Sequence, residues 1–314
     1  DRGATLSRRH TEARFAAPWM VSWEKEIVDR VQAREKETHL QLPKQSVDVA
    51  IAAYEKRKGF QISDEQRLSV VHATAESGGV AILEGFAGTG KTTVSDCYSE
   101  AFRAQGREMV GTCVSNAAAQ KLEHESGMPC ASVAMTLSRL KKGTMRLTPN
   151  HVLVVDEAGM LDTDQTRRLL AYAQDGGAKV ILQGDTMQLQ PIGAGSGMSL
   201  ASMATERTML TEIRRQKSQE AKDLAALFYE RGHDGDFQTL KKATRSFAAT
   251  KSKGEEIQEA MEALDAVDDY EKKEDARNAL VEDYLENETA VTDKLVLCHS
   301  RADVHALNLA IREG

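Results

Sequence analysis

Along the first sixty residues, apolar positions recur at helical spacing. Trp19, Trp23, Ile27 and Val31 share one stripe, which predicts a helix through "SWEKEIVDRVQAREKETHL" after an irregular start. "SVDVAIAAYEKRKG" is a second amphipathic helix that closes at Gly59. "QISDEQRLSVVHATAES" is a third, with Ser63 as N-cap and Gln66 at the position of a capping box. From residue 80 the pattern changes. Short continuous apolar runs, "VAILEGF", "EMVGTCV", "HVLVVDE" and "KVILQGD", alternate with amphipathic stretches such as "TTVSDCYSEAFRAQG", "NAAAQKLEHESG" and "TDQTRRLLAYAQDGG". Continuous apolar runs separated by helices predict strands buried on both faces. The fold class is therefore α/β, a parallel sheet with helices on both faces. "KLVLCHS" and "RADVHALNLAIREG" open one further unit of the same kind.

Charge refines this division. The chain of 314 residues carries a net charge of -7, but residues 251–293 hold 15 acidic and 5 basic residues. That stretch alone has a balance of -10, which leaves +3 for the rest. An acidic surface helix pair is expected to hang from a mildly basic body, with no part in nucleotide or DNA contact. No apolar run is long enough to span a membrane. Cys97, Cys113, Cys130 and Cys298 are too scattered for a disulfide framework or a zinc site, and the expected compartment is a reducing cytoplasm. The start "DRGATLSRRH" has neither an initiator Met nor an apolar signal core, as expected for an internal piece of a longer polypeptide.

The chemistry concentrates after the apolar runs. Between a predicted strand and a predicted helix stands "GFAGTGKTT", Gly85 to Thr93, which fits G-x-x-x-x-G-K-[ST]. Glycines let the backbone turn its N–H groups inward to phosphate oxygens, and the positive end of the next helix favours the same anion. Gly85, Ala87, Gly88, Thr89, Gly90, Lys91, Thr92 and Thr93 are the expected phosphate cradle. Lys91 is placed to reach the β- and γ-phosphates of ATP, and the Thr92 hydroxyl to bind Mg2+. Asp156 and Glu157 end the strand "HVLVVDE". Ligands of open α/β sheets sit at such strand ends. Asp156 suits Mg2+ binding, and Glu157 suits activation of a water. A third run ends in Gly184 and Asp185, with Gln188 three residues on. Gln188 either senses the γ-phosphate and the attacking water or belongs to a polar turn.

These motifs, with "LTEIRRQ", resemble in order and spacing the superfamily-one DNA helicases, above all the RecD-like branch. The resemblance implies a RecA-like P-loop NTPase domain that hydrolyses ATP and binds single-stranded DNA. It implies that Gln66 reads the adenine and that Asp185 belongs to the nucleotide site. It also implies that an arginine of "LTEIRRQ" contacts the γ-phosphate, Arg215 or its neighbour Arg214. "GTCVSNAAAQKL" and "CASVAMTLSRL" resemble DNA-contacting motifs, which points to Ser115, Asn116, Lys121, Thr136 and Arg139. The flanking stretches resemble the helicase region of TraA-type conjugative relaxase–helicases. The implied partners are a relaxase domain on the same polypeptide and relaxosome proteins. The expected organisation is a helical region at 1–58, an ATPase domain at 59–245, an acidic insertion at 246–292 and the start of a second RecA-like domain at 293–314. The alternative is a truncated nucleotide-binding remnant or interaction module without helicase activity. A small-molecule P-loop kinase would need neither Glu157 nor Gln66.

Overall fold

The computed structural model describes residues 16–214, 216, 222–223, 261, 268, 270, 272–290, 294–298 and 300–313. Contacts divide the chain into two units, 1–232 and 233–314.

The first unit is built on six strands: β1 (Val80–Gly85), β2 (Glu108–Cys113), β3 (Cys130–Ser132), β4 (His151–Val155), β5 (Lys179–Gly184) and β6 (Arg207–Leu210). Their order is β3-β2-β4-β5-β1-β6, and every ladder is parallel. The α/β class expected from the alternating pattern is the observed one. Central strands β1 and β5 are buried along their whole length, which explains why they read as unbroken apolar runs.

Side chains of a strand alternate between faces, so the sheet feeds two separate cores. On one face Leu83, Val152, Val154 and Ile181 meet α2 (Lys44–Lys58), α3 (Asp64–Val71) and α4 (Lys91–Ala104), through Ile51, Val70, Tyr98 and Phe102. On the other, Ile82, Leu153, Val155 and Leu182 meet α1 (Pro18–Arg34), α6 (Val133–Lys142), α7 (Thr163–Gly176) and α8 (Gly197–Ala204), through Ile27, Leu137, Leu169 and Met198. Helix α5 (Asn116–Ser126) follows β2 and packs Ala119 and Leu122 on Cys113.

The first helices thus pack on the sheet within the first unit. Helix α1 starts at Pro18, where a missing N–H costs nothing, and only the later half of its apolar stripe is buried. Trp19 is exposed and stacks edge-on against Trp23 at 4.5 Å. Arg34, fully buried, closes the helix: its Nη2 donates to the Ala178 carbonyl, and its Nε donates to Glu37 Oε2 at 2.9 Å. Beside it Lys179 Nζ donates to the carbonyls of Ser77 and Gly78 and to Ser77 Oγ.

In the second unit, α9 (Lys273–Glu286) and α10 (Arg301–Glu313) are described. Lys273 pairs with Asp303 at 2.7 Å. Helix α9 buries no residue, in keeping with the solvated acidic helix expected there; most of 251–272 lies outside the described residues. Residues 294–298 do not form the strand that their apolar run invites. A parallel strand is held by its neighbours, no partner strand stands beside it among the described residues, and Leu295 and Leu297 remain 81% and 82% exposed. No helix among the described residues is long and apolar enough to cross a membrane.

If α1 belongs to the body, its core contact carries stability. Ile27→Ala is expected to lower the unfolding free energy of the chain by about 2–5 kcal/mol in urea denaturation. A loss near zero would mean that α1 is an appended helix.

Candidate functional site

The opening of the site is set where β1 ends and α4 begins. Gly90 is the N-cap of α4 with φ 87°, a left-handed conformation that side chains resist, and a Cβ there would strike Gln66 Nε2. Gly88 also has positive φ, 82°. The loop is braced from three directions. Gln66 Nε2 donates to the Thr89 carbonyl at 3.3 Å, while Gln66 Oε1 accepts from the Ser63 N–H and completes the α3 capping box. The Thr89 hydroxyl donates to the Phe86 carbonyl at 2.9 Å. From the far side, the Arg214 N–H donates to the Gly88 carbonyl at 2.8 Å. Lys91 Nζ turns back over the end of β1 and donates to the carbonyls of Gly85 (2.6 Å) and Phe86 (3.1 Å).

In front of this loop lies a pocket of about 590 Å³, within the range of small-molecule sites. Its wall brings together Gly88, Gly90, Lys91 and Thr92 with Asp156, Glu157, Gln188 and Arg214. These residues come from four segments distant in sequence. Parallel strands deliver them to one edge, because every strand of the sheet ends on that side.

The acidic pair has two different environments. Asp156 continues β4: its N–H donates to the Thr112 carbonyl, and its Oδ1 accepts from Gln183 Nε2 at 2.9 Å. Glu157 has φ 53° and is the one non-glycine residue with positive φ among the described residues. Such a conformation costs of the order of 1–3 kcal/mol and clusters at functional sites. Burial first, and the Asp156 charge second, push the Glu157 carboxyl above its usual range, against a smaller opposing pull from Lys91. A carboxyl so placed is a base of raised strength. Gln188 is steered by Asp185, whose Oδ2 accepts from Gln188 Nε2 at 3.1 Å. Thr92 and Asp156 are the hard-oxygen pair that suits Mg2+: a hydroxyl and a carboxylate in one wall. Asp156 Oδ2 takes no hydrogen bond among the described residues.

The other expected residues are placed as follows. Asp185 is 4% exposed and does not line the pocket; its carboxylate accepts from Gln188 and from the Met187 N–H, so it holds the turn that carries Gln188. Thr136 is 1% exposed, and its hydroxyl shares a hydrogen bond with Thr112 Oγ1 at 3.1 Å, so it lies in the core. Gln66 is buried with its amide engaged at both ends, so here it braces the cradle. Thr93 and Gly85 do not line the pocket; Gly85 lends its carbonyl to Lys91. Lys121, expected along a DNA path, lines the pocket with Ala118, Leu122 and Glu125 of α5, and its charge helps Glu157 ionise. Of the other expected DNA contacts, Ser115, Asn116 and Arg139 are exposed, and Ser115 Oγ caps α5 by accepting from the Ala118 N–H. Arg214 lines the pocket and reaches Glu212 Oε2 at 2.9 Å, while Arg215 lies outside the described residues.

Two features escaped the sequence reading. Glu65, beside Gln66, accepts from the N–H groups of Thr211 and Glu212 and from the Thr211 hydroxyl. Burial alone would raise its pKa, but these hydrogen bonds outweigh burial and hold it below the usual carboxylate range. It fastens α3 to the segment that carries Arg214. Beside Asp156, pocket-lining Gln183 and buried Tyr98 form a polar chain that no motif announces.

Comparison with known proteins follows the same lines. The AAA domain family matches residues 61–251, a span that holds the cradle, the acidic pair and the Gln188 turn. A probable conjugal transfer protein TraA of Sinorhizobium fredii is 32% identical over 253 residues, covering 80% of this chain and 21% of that protein. The conjugal transfer protein TraA of Rhizobium radiobacter is 32% identical over 258 residues, 82% of this chain and 21% of that one. The ATP-dependent RecD2 DNA helicase of Deinococcus radiodurans is 32% identical over 165 residues, 51% of this chain and 22% of the helicase. The chain thus spans about a fifth of the length of the curated relatives it matches. By its fold, its pocket and the matched span, the chain belongs to the AAA domain family, and within it is a RecD-like helicase relative akin to the TraA conjugal transfer proteins.

Proposed function

We propose that this chain is the first motor domain of a RecD-type DNA helicase. It would bind and hydrolyse Mg-ATP in the pocket between the Gly85–Thr93 loop and Asp156–Glu157, coupled to binding of single-stranded DNA. The TraA relatives point to a conjugative relaxase–helicase as the parent protein. The observation that carries the reading is Glu157, held in a left-handed conformation and raised in pKa, in one wall with Lys91, Thr92, Asp156, Gln188 and Arg214.

The roles follow from the chemistry of each group. Backbone N–H groups of residues 88–92 and the N-terminus of α4 receive the β- and γ-phosphates. Lys91 exchanges the carbonyls of Gly85 and Phe86 for phosphate oxygens. Thr92 and Asp156 would hold Mg2+, which when bound neutralises charge on the phosphates. Gln188, steered by Asp185, orients a water, and Glu157 takes its proton. The water oxygen bonds to the γ-phosphorus as the bond to the β–γ bridging oxygen breaks, giving ADP and phosphate. Arg215, or Arg214 in its place, would face the negative charge that develops; of the two, Arg214 lines the pocket. For DNA, exposed Ser115 and Asn116 at the start of α5 and Arg139 on α6 offer hydroxyl, amide and guanidinium contacts to a backbone. Lys121, between that helix and the pocket, is placed to join the two sites.

Steady-state ATP turnover with and without single-stranded DNA is the deciding measurement. The expected result is hydrolysis that single-stranded DNA stimulates, with a stimulation that falls as salt rises. Nucleotide binding without turnover under both conditions would replace this reading with that of a non-catalytic module.

Glu157→Gln is expected to keep ATP affinity and to lower turnover by about two or more powers of ten. Parallel loss of both would make Glu157 a binding residue.

The pH profile carries its own sign. Glu157 must be ionised to accept the proton, and burial with Asp156 raises its pKa. Turnover is therefore expected to fall with acidification at a pH above the ordinary carboxylate range. A profile flat down to that range would remove Glu157 as the base.

A further inference from the structure

A chain of four polar side chains runs along the floor of the pocket: Ser95, Gln183 and Asp156 line it, and buried Tyr98 joins them from behind. Ser95 Oγ is 3.0 Å from the Tyr98 hydroxyl, which is 2.6 Å from Gln183 Oε1, and Gln183 Nε2 is 2.9 Å from Asp156 Oδ1. Tyr98 is fully buried and Gln183 is 3% exposed. Strand geometry brings them together. Gln183 shares its face of β5 with Ile181, the face covered by α4, and Asp156 shares its face of β4 with Val154. The register that pairs Val155 with Leu182 brings Asp156 level with Gln183.

The directions of these bonds are fixed by valence. A carboxylate can only accept, so the Gln183 amide must turn its NH2 group to Asp156 and its oxygen to Tyr98. The tyrosine must then donate to that oxygen and accept from Ser95. Burial pushes the Tyr98 hydroxyl well above its ordinary pKa, so the donor is never lost at working pH. The chain is a one-way lock: Ser95 and Tyr98 prevent the Gln183 amide from flipping, and the amide fixes one oxygen of Asp156. The other oxygen belongs to a residue that lines the pocket with Thr92.

We infer that Gln183, locked by Tyr98, is a positioning residue: it holds the Asp156 carboxylate in the orientation that receives the divalent cation of Mg-ATP. The inference rests on the ATP-hydrolysing reading of the pocket and adds the residues that tune it. It acts through Asp156 and predicts an effect on cation coupling, with little effect on contacts made by the cradle itself.

The test is the affinity of the 314-residue chain for a fluorescent ATP analogue, measured with Mg2+ and with EDTA, together with direct Mn2+ titration by electron paramagnetic resonance. In the unsubstituted chain the cation tightens nucleotide binding. Gln183→Met keeps the length and removes the donor. It is expected to leave affinity in EDTA unchanged and to weaken both the cation-dependent tightening and Mn2+ binding by about 10-fold or more. Tyr98→Phe, a smaller change that leaves Gln183 free to flip, is expected to move both in the same direction by less. It also serves if Gln183→Met fails to fold, with thermal melting as the check. Equal cation dependence in both variants and the unsubstituted chain overturns the inference and leaves the ATP reading standing. Affinity that drops equally in EDTA and Mg2+ also overturns it, since Gln183 would then support the cradle as a whole. No cation dependence in the unsubstituted chain overturns both.

Discussion

Parallel register among β4, β5 and β1 is the constraint from which the site follows. Val155 stands opposite Leu182, and Leu83 opposite Gln183, so the three strands end within three residues of one level and Asp156 falls level with Gln183. Asp156, Gln183 and the start of the cradle therefore meet without any long side chain reaching across. A one-residue slip of β4 would turn Asp156 toward the α7 side and bring Val155 under the pocket. Burial prevents the slip, because it would also exchange the two apolar faces of β4 between cores that are already filled. Stability of the sheet and alignment of the chemistry are thus one requirement.

A second layer of constraint ties the cradle to segments outside the sheet. Gln66 holds the loop at Thr89, and its neighbour Glu65 holds Thr211 and Glu212. The Arg214 N–H closes the ring at Gly88. A change in the cradle when phosphate enters would be felt at Arg214 by a direct backbone bond and again through α3. Bonds to an ionised acceptor such as Glu65 are roughly twice as strong as neutral ones, which favours α3 and residues 211–214 moving as one piece. The capping box of α3 is therefore more than a helix start: the same amide that caps the helix grips the loop.

The sheet, the cradle and the acidic pair were legible in the sequence because each leaves a local signature. Buried strands read as apolar runs, the cradle needs glycines where φ is positive, and an acid after an apolar strand lies at the ligand edge. What escaped depends on contacts between segments. Gln183 looks like the polar end of a strand, and Tyr98 like one more aromatic in a core helix; only the packing of α4 on the sheet joins them. The burial of Thr136 was also legible in the sequence. Val133, Thr136, Leu137 and Leu140 fall on one face of α6 by helical spacing, and that face is the buried one. Similarly, Ala118, Lys121, Leu122 and Glu125 form one face of α5, which turns to the pocket. Residues 294–298 failed the other way: an apolar run suits a strand, but a strand exists only with a neighbour.

Glu157 shows how the parts act on one proton. Five influences compete at its carboxyl: burial, Asp156 and Asp185 favour the neutral acid, and Lys91 and Lys121 oppose them. Without nucleotide, Lys91 lies against the carbonyls of Gly85 and Phe86, near enough to steady the carboxylate. A phosphate in the cradle would engage that ammonium and add negative charge beside Glu157. Both changes raise the affinity of the carboxylate for a proton, so the base would gain strength when the substrate to be hydrolysed is in place. Lys121 and a cation at Asp156 act in the opposite sense and keep the residue from being protonated too early. On the proposed reading, the left-handed backbone at Glu157 would keep the carboxyl among these charges, where the arrival of phosphate and the capture of a proton would be linked.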